Sequence, residues 1–346
     1  MKMEDIAQLA GVSKSAVSLA FSGKPGIGPE TRERILQVAR ENGYLPKAKV
    51  SASTEPQTKL LTFLVLANSG IVLEQYYQQP FFRELIHYIE ERCRTKGYSL
   101  IFSSIDMEFF DRELMALAQE RPGGGVVLLG TNLNRGQITD IAGMLGPHLV
   151  VLDTCFDTLP VHFVEINNYM GAYQAGAYLC RSGHRNIGYI ASNIRIHNFE
   201  ERQSGFKAAL REYELEIMPA QVFSAAPTIL SSQRSLKAQL ESFLRAGRSL
   251  PTAFFCECDY IAISAMKTLT ELGYRVPEDA SVVGFDNISE AVIVHPELTT
   301  VHVEKARLAY HAVDLVIDSI ESVQQVKTKM SIDTRLVERH SSRPIA

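Results

Sequence analysis

No run of apolar residues in this chain reaches the roughly 18 needed to cross a bilayer as a helix, and the first residues lead straight into a charged helical segment with no apolar export core. These absences argue against a membrane partner and make a cytoplasmic protein the expectation. Cysteine is sparse: Cys93, Cys155, Cys180, Cys256 and Cys258 are five in 346 residues and are scattered, which fits reduced thiols better than a disulfide framework. Cys256 and Cys258 alternate along an expected strand and so point to opposite faces, an arrangement unsuited to holding a metal. The nine histidines form no short pair at helical spacing, and no serine stands in a Gly-x-Ser-x-Gly elbow. Gly123-Gly124-Gly125 precedes an apolar run, whereas a dinucleotide-binding loop follows a strand and opens a helix, so it reads as a turn. No metal and no cofactor is expected, and the chain does not read as an enzyme.

Net charge is also small, −4 overall, yet it is unevenly placed. Residues 1–59 carry nine Lys and Arg against six Asp and Glu, a net of +3, which leaves −7 on the remainder. A basic end on an acidic body confines attraction for phosphate to that end. The same end is patterned for DNA. Ile6, Leu9 and Ala10 recur at helical spacing, Gly11 permits a sharp turn, Val12 fills the corner, and Ser13 is a good N-cap for a second helix with Ala16, Val17 and Ala20 inward. That is a helix-turn-helix pattern. Because the N-terminal part of the second helix enters the major groove, Ser13, Lys14, Ser15, Ala16 and Ser18 are the expected DNA contacts. A third helix starts at Gly28-Pro29-Glu30, presents Ile35, Val38 and Ala39, and ends at Gly43.

These residues resemble a known family. Asp5-Ile6-Ala7 to Gly11-Val12-Ser13, Val17-Ser18, Thr31-Arg32-Glu33-Arg34 and Gly43-Tyr44-Leu45-Pro46 are similar to the head of the lactose-repressor (LacI-type) family of bacterial transcription regulators. Pro80-Phe81-Phe82, Gly183-His184-Arg185, Glu201-Arg202 with Gly205-Phe206, Val276-Pro277-Glu278-Asp279, Val283-Gly284-Phe285-Asp286 and Leu298-Thr299-Thr300-Val301 continue the likeness in the family's order. It implies a small all-α helix-turn-helix head plus a two-lobed, periplasmic-binding-protein-like α/β body with parallel sheets. It further implies a homodimer on double-stranded operator DNA, acting as a repressor whose DNA affinity is set by a small molecule, a carbohydrate at the level of the family.

The division expected is 1–46 for the head, 47–59 for a linker, 60–163 with 292–323 for one lobe, and 164–291 with 324–346 for the other. Residues 47–59 are poor in large apolar side chains and broken by Pro56. The resemblance makes this stretch a hinge helix that wedges a leucine into the minor groove. Ser53 stands at the matching position and cannot wedge a base step, while Lys47 and Lys49 remain able to line phosphates; a tether that orders only on DNA is the other reading. Leu19 stands where the family often carries arginine. It either touches a thymine methyl or packs against Phe21.

Beyond the linker, Leu61–Leu66, Leu100–Phe102, Val126–Leu129, Leu149–Leu152, Ile187–Ile190, Ala253–Cys256 and Ser281–Gly284 read as strands buried on both faces. Helical stripes lie between them, such as Phe82, Leu85, Ile86, Ile89 and Cys93 ahead of Gly97. Ligands of open parallel sheets bind beyond the carboxyl ends of the strands, which selects Asn68, Ser69, Phe81, Phe82, Arg202, Asp259 and Asp286 as effector-binding candidates. Four of them have a plainer alternative: Phe82 as core, Asp259 as a helix cap, Asp286 as a turn residue with Asn287, Arg202 as a surface ion-pair partner. Where the family often has Asn-Asp and Asp-Asn pairs, this chain has Cys258-Asp259 and Asn167-Asn168. A two-lobed solute-binding protein or sensor without a transcriptional role is the alternative function.

Overall fold

The computed structural model describes residues 3–22, 26–42, 59–67, 76–120, 123–228, 232–322 and 326–345. The chain divides into two compact units, residues 1–57 and 58–346. In the first, α1 (Met3–Leu9), α2 (Lys14–Ser22) and α3 (Pro29–Glu41) enclose a small core of Ile6, Ala7, Ala10, Val17, Ala20, Ile35 and Ala39. Gly11 turns the chain at a φ of 65°, a conformation glycine adopts without a Cβ penalty. The Ser13 hydroxyl then accepts from the Ala16 N–H at 3.2 Å and caps α2. One inward assignment is corrected: Leu9 is exposed, and Ala7 takes its place beside Ile6 and Ala10. The reason is rotational, since the buried face of so short a helix is narrow and small residues let α2 come close.

The second unit is two parallel-sheet lobes. In chain order come β1 (Lys59–Ala67), α4 (Pro80–Thr95), β2 (Tyr98–Asp106), α5 (Phe110–Glu120), β3 (Gly125–Leu129), α6 (Arg135–Leu145), β4 (Leu149–Leu152) and β5 (His162–Ile166). There follow α7 (Asn168–Arg181), β6 (Ile187–Ser192), α8 (His197–Glu212), β7 (Val222–Ala225), α9 (Ser232–Arg245), β8 (Ala253–Cys256), α10 (Asp259–Glu271), β9 (Ser281–Asp286) and β10 (Thr299–His302). The chain closes with α11 (Lys305–Glu321), β11 (Lys329–Ile332) and β12 (Arg335–Val337). The first sheet runs β11-β5-β4-β3-β1-β2 and the second β12-β10-β9-β8-β6-β7. All pairings are parallel except that of β12 with β10.

The chain passes between the sheets after β5, after β10 and after β11, and this shifts all three expected lobe boundaries. Residues 164–166 belong to the first lobe, as the end of β5. Residues 292–302 belong to the second lobe, because β10 pairs with β9. Residues 326–332 belong to the first, because β11 pairs with β5. The last linker position, Lys59, already begins β1, while 47–58 lie outside the described residues. The expected apolar runs fall in β1–β4, β6, β8 and β9. β2 is not buried on both faces: it is the sheet edge, and Phe102 is exposed there. Among the described residues, no helix is long and apolar enough to cross a membrane.

Close approach of α7 and α8 sets the geometry of the second lobe. A Cβ on Gly205 would stand 2.0 Å from the Tyr169 carbonyl oxygen, and one on Gly176 would stand 2.8 Å from the Ala209 Cβ. Gly205→Ala is therefore expected to cost about 1–3 kcal/mol through overpacking, read as a lower melting temperature; an unchanged melting temperature would show that the helix pair yields freely.

Candidate functional site

In the head, the capping of α2 leaves Ser13, Lys14, Ser15 and Ser18 exposed, with Ala16 and Leu19 half-buried. Ser13 and Ser15 share a hydroxyl hydrogen bond of 2.8 Å. The Lys14 ammonium rests on the Glu4 carboxylate at 2.5 Å, an exposed ion pair of the kind that contributes little to stability. A Cβ on Gly26 would meet Leu19 Cδ1 at 3.2 Å, so Leu19 lies against the chain leading into α3. Lys47, Lys49 and Ser53 lie outside the described residues, as do Asn68 and Ser69 of the body.

In the body, a narrow cleft lies between the carboxyl ends of the two sheets, with a cavity volume of about 40 Å³. The first lobe supplies Phe81 and Phe82 from the start of α4, Thr131 after β3 and Asp153 after β4. The second supplies Asn198, Phe199 and Arg202 from α8, Cys258 and Tyr260 around the start of α10, and Asp286 at the end of β9. Of the body candidates that are described, Phe81, Phe82, Arg202 and Asp286 come together here. Phe81 and Phe82 meet edge-to-face at 5.3 Å and are both buried, so core packing and cleft lining coexist in the same side chains.

Arg202 is no surface ion-pair partner; it is 3% exposed. Its Nε donates to Asn168 Oδ1 at 2.8 Å, one terminal nitrogen to the Glu257 carbonyl at 2.6 Å, and the other meets Asp286 Oδ1 at 3.0 Å. The guanidinium also lies 3.7 Å over the Phe285 ring, within reach of a cation–π attraction. Burial raises the Asp286 carboxyl above its ordinary value, and the Arg202 and Lys305 charges oppose that rise. Asp286 and Asn287 hold φ values of 112° and 49°, so the turn reading and the cleft reading both apply to Asp286.

Asp259 is a correction. It neither lines the cleft nor caps α10, whose N-cap is Cys258. It is fully buried behind the Asp286 turn, where it accepts from the Thr300 hydroxyl at 2.6 Å and from the Ile288 N–H at 2.9 Å. Burial, reinforced by the nearby Asp286 charge, pushes its carboxyl up to about 8. The strand-end position was legible, but the first helical residue after it points back under the sheet.

Asp153 carries no motif, and the sequence reading missed it. It sits at a φ of 69°, accepts from the Thr131 hydroxyl at 2.5 Å and, across the lobes, from Asn198 Nδ2 at 2.9 Å. Burial pushes its carboxyl up to about 6, against the pull of Thr131, Arg202 and Asn198. Further bonds join the lobes. His197 Nε2 meets Glu165 Oε2 at 3.1 Å, a bond that raises the imidazole's proton affinity. The Phe81 N–H donates to the Tyr260 hydroxyl at 3.3 Å. Lys305, at the start of α11, pairs with Glu84 at 3.2 Å and donates to the Asp286 and Asn287 carbonyls at 3.2 and 3.1 Å. Also unforeseen is Glu257, fully buried with the Tyr189 hydroxyl, the Ser192 N–H and Arg195 around it.

Residues 2–47 match the family described as bacterial regulatory proteins, lacI family, and residues 177–342 match the periplasmic binding protein-like domain. The chain is 30% identical over 341 residues to the HTH-type transcriptional repressor PurR of Pasteurella multocida (strain Pm70), covering 98% of each. Among solved structures it resembles a transcriptional regulator CelR–cellobiose complex, with a TM-score of 0.70, 25% identity and coverage of 99% of this chain and 100% of that one. It shares its fold with a lac repressor dimer bound to operator and the anti-inducer ONPF, with a TM-score of 0.71, 22% identity and 99% of each chain covered. The chain belongs to the lacI family of bacterial regulatory proteins, DNA-binding transcription regulators with an effector-binding body.

Proposed function

We propose that this protein represses transcription as a homodimer whose two heads occupy successive major grooves of a near-symmetric operator, and whose affinity for that operator is set by a small molecule held in the cleft. The observation that carries the reading is the pairing of a capped helix-turn-helix with a two-lobed body whose strand ends face one cleft. Ser13, Lys14, Ser15, Ala16, Ser18 and Leu19 form the reading surface, Lys47 and Lys49 contact phosphates, and Ser53 meets DNA at the position where the family wedges a leucine. Phe81, Phe82, Arg202 and Asp286 hold the effector together with Asn68 and Ser69 of the first lobe. A carbohydrate is one chemistry that suits this cleft, as the cellobiose in the CelR structure illustrates for that protein.

The mechanism is population shift. The bonds that cross the cleft, Asp153 with Asn198, Glu165 with His197 and Phe81 with Tyr260, hold one closure of the lobes. A ligand that strengthens or replaces them favours one closure over another, and the difference is passed to the linkers and heads. Coupling of about 1–3 kcal/mol would change operator occupancy roughly 5- to 150-fold. Linkage makes this testable in either direction: effector affinity measured by calorimetry is expected to differ by that factor with and without operator DNA, and equal affinities would overturn the mechanism.

Two residue-level outcomes follow from the same geometry. Lys14→Ala is expected to weaken binding to all DNA sequences tested and to lower the slope of log affinity against log salt by about one; an unchanged slope would remove Lys14 from the phosphate contacts. Asp153 accepts hydrogen bonds best when ionised, and its carboxyl titrates near 6. Effector affinity is therefore expected to hold above that pH and to fall by up to about tenfold per unit below it. Asp153→Asn should flatten this profile, and a variant that kept the same pH dependence would assign the titration elsewhere.

A further inference from the structure

The cleft is not the roomiest hollow of the body. A groove on the first lobe, between α6 and the segment that leads into β5, encloses about 410 Å³, against about 40 Å³ in the cleft. Pockets that hold small molecules run to roughly 300–1,000 Å³ and are mostly apolar, with a few polar groups that fix orientation. The walls here are Ala142, Leu149, Leu159, Pro160 and Val161, and the charged group among the described lining residues is Lys327, just ahead of β11. The parallel register sets Leu61 beside Gly125 and Val126 beside Leu149. The groove thus lies at the amino ends of the strands, whereas Thr131 and Asp153 of the cleft follow the carboxyl ends of β3 and β4. Through Gly146 and Pro147 it adjoins a second hollow of about 250 Å³ that reaches Thr62 near the start of β1.

Lys327 is a cation without a counter-ion. Its Nζ donates to the Pro147 carbonyl at 2.8 Å, which leaves two of its three N–H groups for another acceptor. Among the described residues it forms no ion pair with a carboxylate, and burial, with no neighbouring charge opposing it, pulls its ammonium below the ordinary lysine value. Val323, Gln324 and Gln325, which precede it in the sequence, bring no carboxylate either. His162, at the start of β5, adds no charge at neutral pH: its Nδ1 accepts from the Thr328 N–H at 3.1 Å, and burial, helped by the Lys327 charge, pushes its imidazole down to about 4.

We infer that this groove is a second small-molecule site, separate from the effector cleft, and that it takes a compound with one carboxylate and an apolar body of medium length. A single partly desolvated ammonium matches a single negative charge, and a charge-assisted hydrogen bond between them gains strength away from bulk water. The leucine, proline and valine walls receive the apolar body, each buried methylene adding to the affinity. A neutral compound would leave the ammonium without its counter-charge. A phosphate monoester would bring a second charge with no second cation in the described lining to meet it.

The test titrates octanoate and 1-octanol into the full-length protein and follows binding by saturation-transfer NMR. Two variants locate the site, each first shown to melt cooperatively. Lys327→Met removes the charge and keeps an apolar stem. Gly143→Leu fills the groove from α6, where a Cβ would meet nothing within 4 Å and leucine favours the helix over glycine. Octanoate is expected to bind the unaltered protein at least about tenfold more tightly than 1-octanol, and to lose at least about tenfold in affinity in each variant. A smaller gap between octanoate and 1-octanol would show that Lys327 does not select the anion and would overturn the inference. Octanoate affinity retained in either variant would place the binding elsewhere and overturn it, as would no octanoate binding at millimolar concentration. None of these results touches the effector reading of the cleft, whose residues stand at the other end of the sheet.

Discussion

The burial of Arg202 is the constraint around which the body is arranged. A guanidinium taken out of water is tolerated only if its nitrogens are met by acceptors of good geometry. Here those acceptors come from three separate elements: Asn168 at the start of α7, the Glu257 carbonyl after β8 and Asp286 at the end of β9. Fixing one side chain therefore fixes the register of three strand-to-helix connections at the rim of the cleft. The left-handed conformations of Asp286 and Asn287 belong to the same arrangement. Backbone held in a sparsely populated region persists where surroundings over-determine it, and Asp259 provides that determination from below by holding Thr300 and the Ile288 N–H.

Much of this was legible in the sequence, and the misses share a physical cause. Long apolar runs announced β1, β3, β4, β6, β8 and β9 because strands buried on both faces have no polar side to interrupt them. β5, β11 and β12 sit at or near sheet edges, where polar residues are tolerated, and so left no run to read. That silence also hid the exchange of β10 and β11 between lobes. In the site, Arg202, Asp286 and Phe81 were marked by motif. Asp153 and Asn198 were not, since a carboxylate and an amide meeting across a cleft from residues 45 apart have no local signature. At the Asn167-Asn168 departure from the family's pattern, Asn168 anchors Arg202 and Asn167 caps α7.

Head and body contrast in how they are held. The head relies on small residues, Ala7, Ala10, Ala20 and Ala39 around Ile6, Val17 and Ile35, which bury little apolar area and leave a modest margin of stability. The body encloses a large aromatic core in which Phe206 and Phe255 stack at 4.5 Å beside Tyr189. A small head of this kind presents rigid surface for recognition, while the larger unit provides the two-sided cleft in which a ligand can alter an equilibrium.

The three passages of the chain between the sheets have a bearing on biosynthesis. Neither lobe is a contiguous stretch: the first sheet is completed by β11 and the second by β12, both within the last 18 residues of the chain. On the ribosome, where the N-terminal part of a chain emerges first, the head can close early, but neither sheet gains its outer strand until β11 and β12 have followed α11. Until β11 and β12 have been made, β5 and β10 stand as edge strands of the two sheets, and unpaired edges are templates for wrong pairing. The same threading that ties the lobes into one responsive unit makes the final strands the step on which its maturation depends.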